Sequence, residues 1–119
     1  MASHPTVTVL PGHFASKQDV LAEIARDDLW PVTVHQGAFP AAPVHQHDAA
    51  VRLYVLAGEL LIVGGPAMDP VKARSGTRVD IPAGAAHTVS ADGPVVTITA
   101  FTSSAAAAGL PQLPVTAGK

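Results

Sequence analysis

The feature that most constrains this chain is the steady punctuation of short apolar runs by Gly and Pro. From Val32 onward the runs are Val32–Gln36, Val51–Ala57, Glu59–Val63, Val71–Arg74, Thr77–Ile81, His87–Ala91 and Val95–Thr102. Between them stand Gly37, Pro40 and Pro43, then Gly58, Gly64-Gly65-Pro66, Ser75-Gly76, Pro82-Ala83-Gly84 and Asp92-Gly93. Runs so short, rich in Val, Ile and Thr and cut at every corner, read as strands, and many strands at close spacing form a sandwich or barrel. Val7–Leu10, ending at Pro11-Gly12, adds a strand upstream, and Val44–His47 reads as extended. Asp92-Gly93 fits a two-residue hairpin connection into the last run.

One segment has helical spacing. Ser16 can cap a helix over Ser16–Asp28, with Asp19 three residues on and Val20, Leu21 and Ile24 as an apolar stripe. So short a helix depends on packing, so the stripe is expected to lean on a face of a sheet. With 119 residues there is room for one core. The expected domain is residues 1–102, followed by a flexible or surface-lying tail, 103–119, rich in Ala, Gly and Pro.

Composition removes several function classes. A formal charge of −2 offers no basic footprint for nucleic acid, and the absence of cysteine excludes disulfides, thiolate metal sites and cysteine nucleophiles. The first residues lack a basic segment followed by an apolar stretch, and no run is long enough for a membrane helix, so a soluble cytoplasmic protein is expected. No Ser-His-Asp spacing, phosphate-cradling loop or pair of catalytic carboxylates stands out.

What remains is histidine. His45 and His47 are two apart on an extended segment, so their rings project from one face. His87 follows the Pro82–Gly84 turn, which re-aims the chain at the start of a strand. Imidazole suits Fe, Ni, Cu or Zn, and two ligands on one strand with a third across the barrel would grip one side of an ion and leave positions open.

These residues resemble the two sequence motifs of the cupin superfamily. His45-Gln46-His47 with Val51–Gly58 has the spacing of the first motif, and Gly76, Pro82, Gly84 and His87 match the second at each named position. The resemblance covers residues 32–101. It implies an all-β double-stranded β-helix, or jelly-roll barrel, with one short N-terminal helix, and a small monocupin holding one divalent transition metal (Fe, Mn, Ni, Cu or Zn) on His45, His47 and His87. Two positions depart from the pattern. The carboxylate ligand common in the family falls at Val51, and the Asn common at the end of the second motif is Ala91. A three-imidazole site leaves the ion's charge uncompensated and should attract anionic ligands.

The expected function is metal-dependent catalysis on a small, oxygen-rich molecule, with dioxygenase-like oxidation placed ahead of isomerase or lyase chemistry. The alternative is a small-molecule sensor without catalysis, and for either a homodimer is expected. Val51, Leu53, Val55 and Val89 are expected to line an apolar pocket. Arg52 and Tyr54 alternate with them and are expected on the outer face at a sheet or subunit contact. Asp48 is the nearest carboxylate, expected to support an imidazole rather than bind metal. His35 is expected to point away, His4 and His13 to face solvent, and Glu59 to be exposed.

Overall fold

The computed structural model describes residues 6–41, 43–64 and 69–109. His4, the Gly65-Pro66 break and the tail from residue 110 lie outside the described residues. Among the described residues, eight strands and two helices run in the order β1 (Thr8–Leu10), α1 (Lys17–Arg26), β2 (Trp30–Gln36), β3 (Val51–Ala57), β4 (Glu59–Val63), β5 (Val71–Arg74), β6 (Arg78–Ile81), β7 (Thr88–Ser90), β8 (Val95–Phe101) and α2 (Ser104–Gly109). One antiparallel sheet has the order β1-β6-β3-β8-β2 and the other β5-β4-β7. None of the described helices is long and apolar enough to cross a membrane.

The two faces of the larger sheet do different work. On the inner face Val51, Leu53 and Val55 of β3 sit opposite Phe101, Thr99 and Thr97 of β8, with Ile81 and Val79 of β6 on the other side. They close on Leu60 and Ile62 of β4 and Ala73 of β5, so the interior between the sheets is the main core. Val89, expected with Val51, Leu53 and Val55 on the lining, packs there as well. The outer face carries Tyr54, Ile98 and Ala100, which are covered by Val20 and Ile24 of α1. Leu21 of the anticipated stripe is instead 42% exposed, because only the Val20 side of the helix meets the sheet.

Helix α1 begins at a reciprocal capping box: Asp19 N–H donates to Ser16 Oγ, and Ser16 N–H donates to the Asp19 carboxylate. It is bound down by charge as well as by apolar contact. Tyr54, fully buried, donates its hydroxyl to Glu23 at 2.6 Å. Arg52 donates to Asp27 at 2.7 Å and to the Tyr54 oxygen at 3.1 Å. Arg78 donates to Glu23 at 3.0 Å and to Asp80 at 2.8 Å. Arg52 and Tyr54 thus occupy the outer face as the alternation predicts, but under this chain's own helix. His13 is exposed, as expected, and also pairs with Glu23 at 2.9 Å. Burial pushes the Glu23 carboxyl up, but hydrogen bonds from Tyr54 and His13 and the charge of Arg78 outweigh it and hold it down at about 2.

One expectation is corrected. Asp92-Gly93 is not a hairpin: β7 pairs with β4, whereas β8 is flanked by β2 and β3. With both its edges taken, β8 has no place for β7, and the connection crosses between sheets. The segment after Thr102 opens as α2, which packs against β8 and β2. Gly58, at the corner between β3 and β4, has φ +81 and a backbone pressed against Pro94 and Val95; a Cβ there would lie 2.9 Å from Val95 Cα. Glycine is required on both counts.

Candidate metal centre

The connection from β2 to β3 crosses the end of the barrel and is tied to the smaller sheet by two bridges, Phe39 with Ala91 and His45 with His87. The second bridge builds the centre. His45 N–H donates to His87 O at 3.0 Å and His87 N–H to His45 O at 2.9 Å, so the residues stand directly opposite with side chains on one face. His47, two residues on, returns to that face. Its carbonyl accepts from Gly84 N–H at 2.9 Å, and the φ of +80 at Gly84 turns the chain from β6 toward His87. The Pro-x-Gly spacing thus fixes where the third imidazole enters.

The three rings converge. Centroids lie 4.5 Å apart for His45 and His87, 5.0 Å for His45 and His47, and 5.1 Å for His47 and His87. One nitrogen from each lies within 4.8 Å of the others. Nδ1 of His45 is 3.0 Å from Pro43 O, and Nδ1 of His87 is 2.8 Å from Ala85 O. A carbonyl can only accept, so Nδ1 carries the proton in both neutral rings and Nε2 keeps its lone pair. Nδ1 of His47 is buried without a hydrogen-bond partner among the described residues.

Electrostatics disfavour protonation of His47 and His87. Burial, then the charges of His87 and His45, lower His47 to about 4 against a small opposing pull from Asp48. Burial lowers His87 too, more than its hydrogen bond to Ala85 raises it, with His45 adding to the fall. His87 is 2% exposed, while His45 and His47 are half-buried, so the cluster reaches solvent on their side.

A divalent transition metal fits these donors: three imidazoles, two of them with Nδ1 directed at a carbonyl so that Nε2 faces the group, and an orphaned ring nitrogen on the third. Ligand bonds of about 2.1 Å need nitrogens somewhat closer than the 4.8 Å within which these lie. His45, His47 and His87 are thus brought together as a group able to hold an ion, and His35 is exposed and outside it. Val51 is buried opposite Ile81 and Phe101, and no carboxylate joins the group among the described residues. Asp48 is exposed and hydrogen-bonds to none of the three rings; backbone carbonyls take the role expected of it. Glu59 is exposed and pairs with Arg74 at 2.8 Å. The sequence reading missed Thr97 and Thr99, which share the parity of Val95 and Phe101 and so face the interior.

No protein-family model and no curated protein matches the sequence. Solved structures do. A cupin superfamily protein from Desulfitobacterium hafniense is 12% identical over 85% of this chain and 81% of its own, with a TM-score of 0.53. An RmlC-like cupin with a double-stranded β-helix fold from Methanocaldococcus jannaschii is 13% identical over 61% of this chain and 68% of its own, also at 0.53. The DMSP lyase DddQ from Ruegeria pomeroyi is 27% identical over 61% of this chain, with a TM-score of 0.53, and the match spans 37% of the lyase's length. The strand order and these likenesses agree that the chain has the cupin fold, a double-stranded β-helix.

Proposed function

We propose that this protein is a metal-dependent cupin enzyme that oxidises a small, oxygen-rich molecule, with one divalent transition metal on His45, His47 and His87. The observation that carries the reading is the convergence of three imidazoles at a solvent-reaching end of an apolar barrel, with the Nδ1 of two of them directed at backbone carbonyls. A bound iron or copper ion would supply one-electron and dioxygen chemistry together with Lewis acidity. The chain's own residues would orient the ligand and exclude water: Val51, Ile81 and Phe101 form an apolar row on the inner face, and Ile81 leads through Pro82 to Gly84, which donates to His47.

A second reading is lyase chemistry, favoured by the likeness to the DMSP lyase. Elimination needs a base beside the substrate. Among the described residues the metal group contains no carboxylate, and the buried phenol, Tyr54, lies on the far face of the sheet. The oxidative reading therefore stands first. Iron-loaded protein given a panel of small hydroxy and oxo acids should consume oxygen with at least one of them. Anaerobic turnover without oxygen uptake would favour the lyase, and binding without turnover would favour the sensor. A homodimer is proposed alongside, supported by β2 at a sheet edge with Trp30 51% exposed; sedimentation velocity checks it, and a monodisperse monomer contradicts it.

A further inference from the structure

Strand β8 alternates in an unusual sense. Val95, Thr97, Thr99 and Phe101 face the barrel, whereas Ile98 and Ala100 face outward and are sealed beneath α1. The side beneath the helix is apolar, and two hydroxyls point into the core. Thr99 stands in register between Val32 and Leu53, and Thr97 between Val34 and Val55, so each is set in an apolar row. Both residues are less than a tenth exposed, yet neither hydroxyl is among the fully enclosed polar atoms left without a partner, which among the described residues are limited to His47 Nδ1. Valine would offer nearly the same shape and an equal preference for a strand, without setting a hydroxyl among apolar side chains.

Position gives these hydroxyls a use. Ile81 leads through Pro82 to Gly84, which is hydrogen-bonded to His47, so the row Phe101–Val51–Ile81 adjoins the three histidines. Same-face rows are spaced by about 7 Å along a strand, which places Thr99 one row deeper than Val51. We infer that Thr99, with Thr97 behind it, is a specificity-determining residue that hydrogen-bonds the distal hydroxyl or carbonyl oxygen of a short carboxylate whose charged end lies at the histidines. The inference rests on the metal-dependent reading above. A carboxylate suits the near end because three imidazole ligands, carrying no negative charge, leave an ion's charge uncompensated. An uncharged oxygen suits the far end because apolar rows would not repay the desolvation of a charge.

The test uses the full chain loaded with Co(II), titrated with propionate, butyrate and valerate and with their terminally hydroxylated counterparts, and followed by the cobalt visible spectrum. At least one hydroxy acid should bind about five-fold more tightly than its parent acid. Thr99→Val should abolish that preference with cobalt content unchanged, and Thr99→Ser should keep it. Equal preference in wild type and Thr99→Val, or no preference in the wild type, would overturn the inference while leaving the metal centre standing. A wild type that takes up no cobalt would overturn both.

Discussion

Val51 determines what kind of centre three histidines can make. It is buried on the inner face, one strand residue from Arg52, whose side chain belongs to the opposite face and the helix clasp. A carboxylate at position 51 would add a negative donor beside the imidazoles. Val51→Glu should therefore tighten metal binding, on the order of ten-fold or more, and destabilise the metal-free protein by leaving a buried acid unpaired. Competition against a chelator checks the first effect and urea unfolding the second; unchanged metal affinity would show that position 51 does not face the ion. His47 is the other informative residue. Its folded pKa of about 4 lies below the ordinary 6.5, so as pH falls the unfolded chain takes up the proton first. The stability this gives is complete above about pH 6.5 and is lost as pH falls through 4. A ¹⁵N titration of the metal-free imidazoles should place His47 near 4, and a value near 6.5 would contradict its burial.

Among the elements, α1 and β3 show how far sequence could lead. The capping residues Ser16 and Asp19 and the bounds of β3, β4 and β5 were legible because local rules set them: an N-cap, alternation, and glycine at the corners. The Asp92-Gly93 hairpin was misread because the same dipeptide serves any tight reversal, and only the pairing of β8 with β2 and β3 decides between turn and crossover. Arg52 and Tyr54 were placed on the correct face, but their partners Glu23 and Asp27 lie far away in sequence and leave no local trace. That clasp is testable. Tyr54→Phe removes a donor to Glu23 and an acceptor for Arg52, and should cost about 1–3 kcal/mol, read by denaturant unfolding. It should also raise the Glu23 pKa, shifting acid unfolding to higher pH. Unaltered stability would mean that apolar contact alone holds the helix.

At the scale of the molecule, the two faces of one sheet separate support from chemistry. The helix and its charged clasp stiffen the outer face, and the inner face shapes an apolar barrel whose polar groups gather at one end and along β8. The histidines were legible because their spacing is local on each side of the barrel. Their Nδ1 partners, Pro43 and Ala85, were not, since a backbone carbonyl has no residue signature. The interior hydroxyls of β8 were hidden for a related reason: threonine at alternate positions suits a strand whichever side it faces. The central claim is that this arrangement holds a metal. Elemental analysis of untagged full-length protein beside a His45→Ala variant tests it most directly. About one equivalent of a transition metal per chain, lost in the variant, is the predicted result; no metal in the native protein, even after reconstitution with iron, manganese, nickel, copper and zinc in turn, would contradict it.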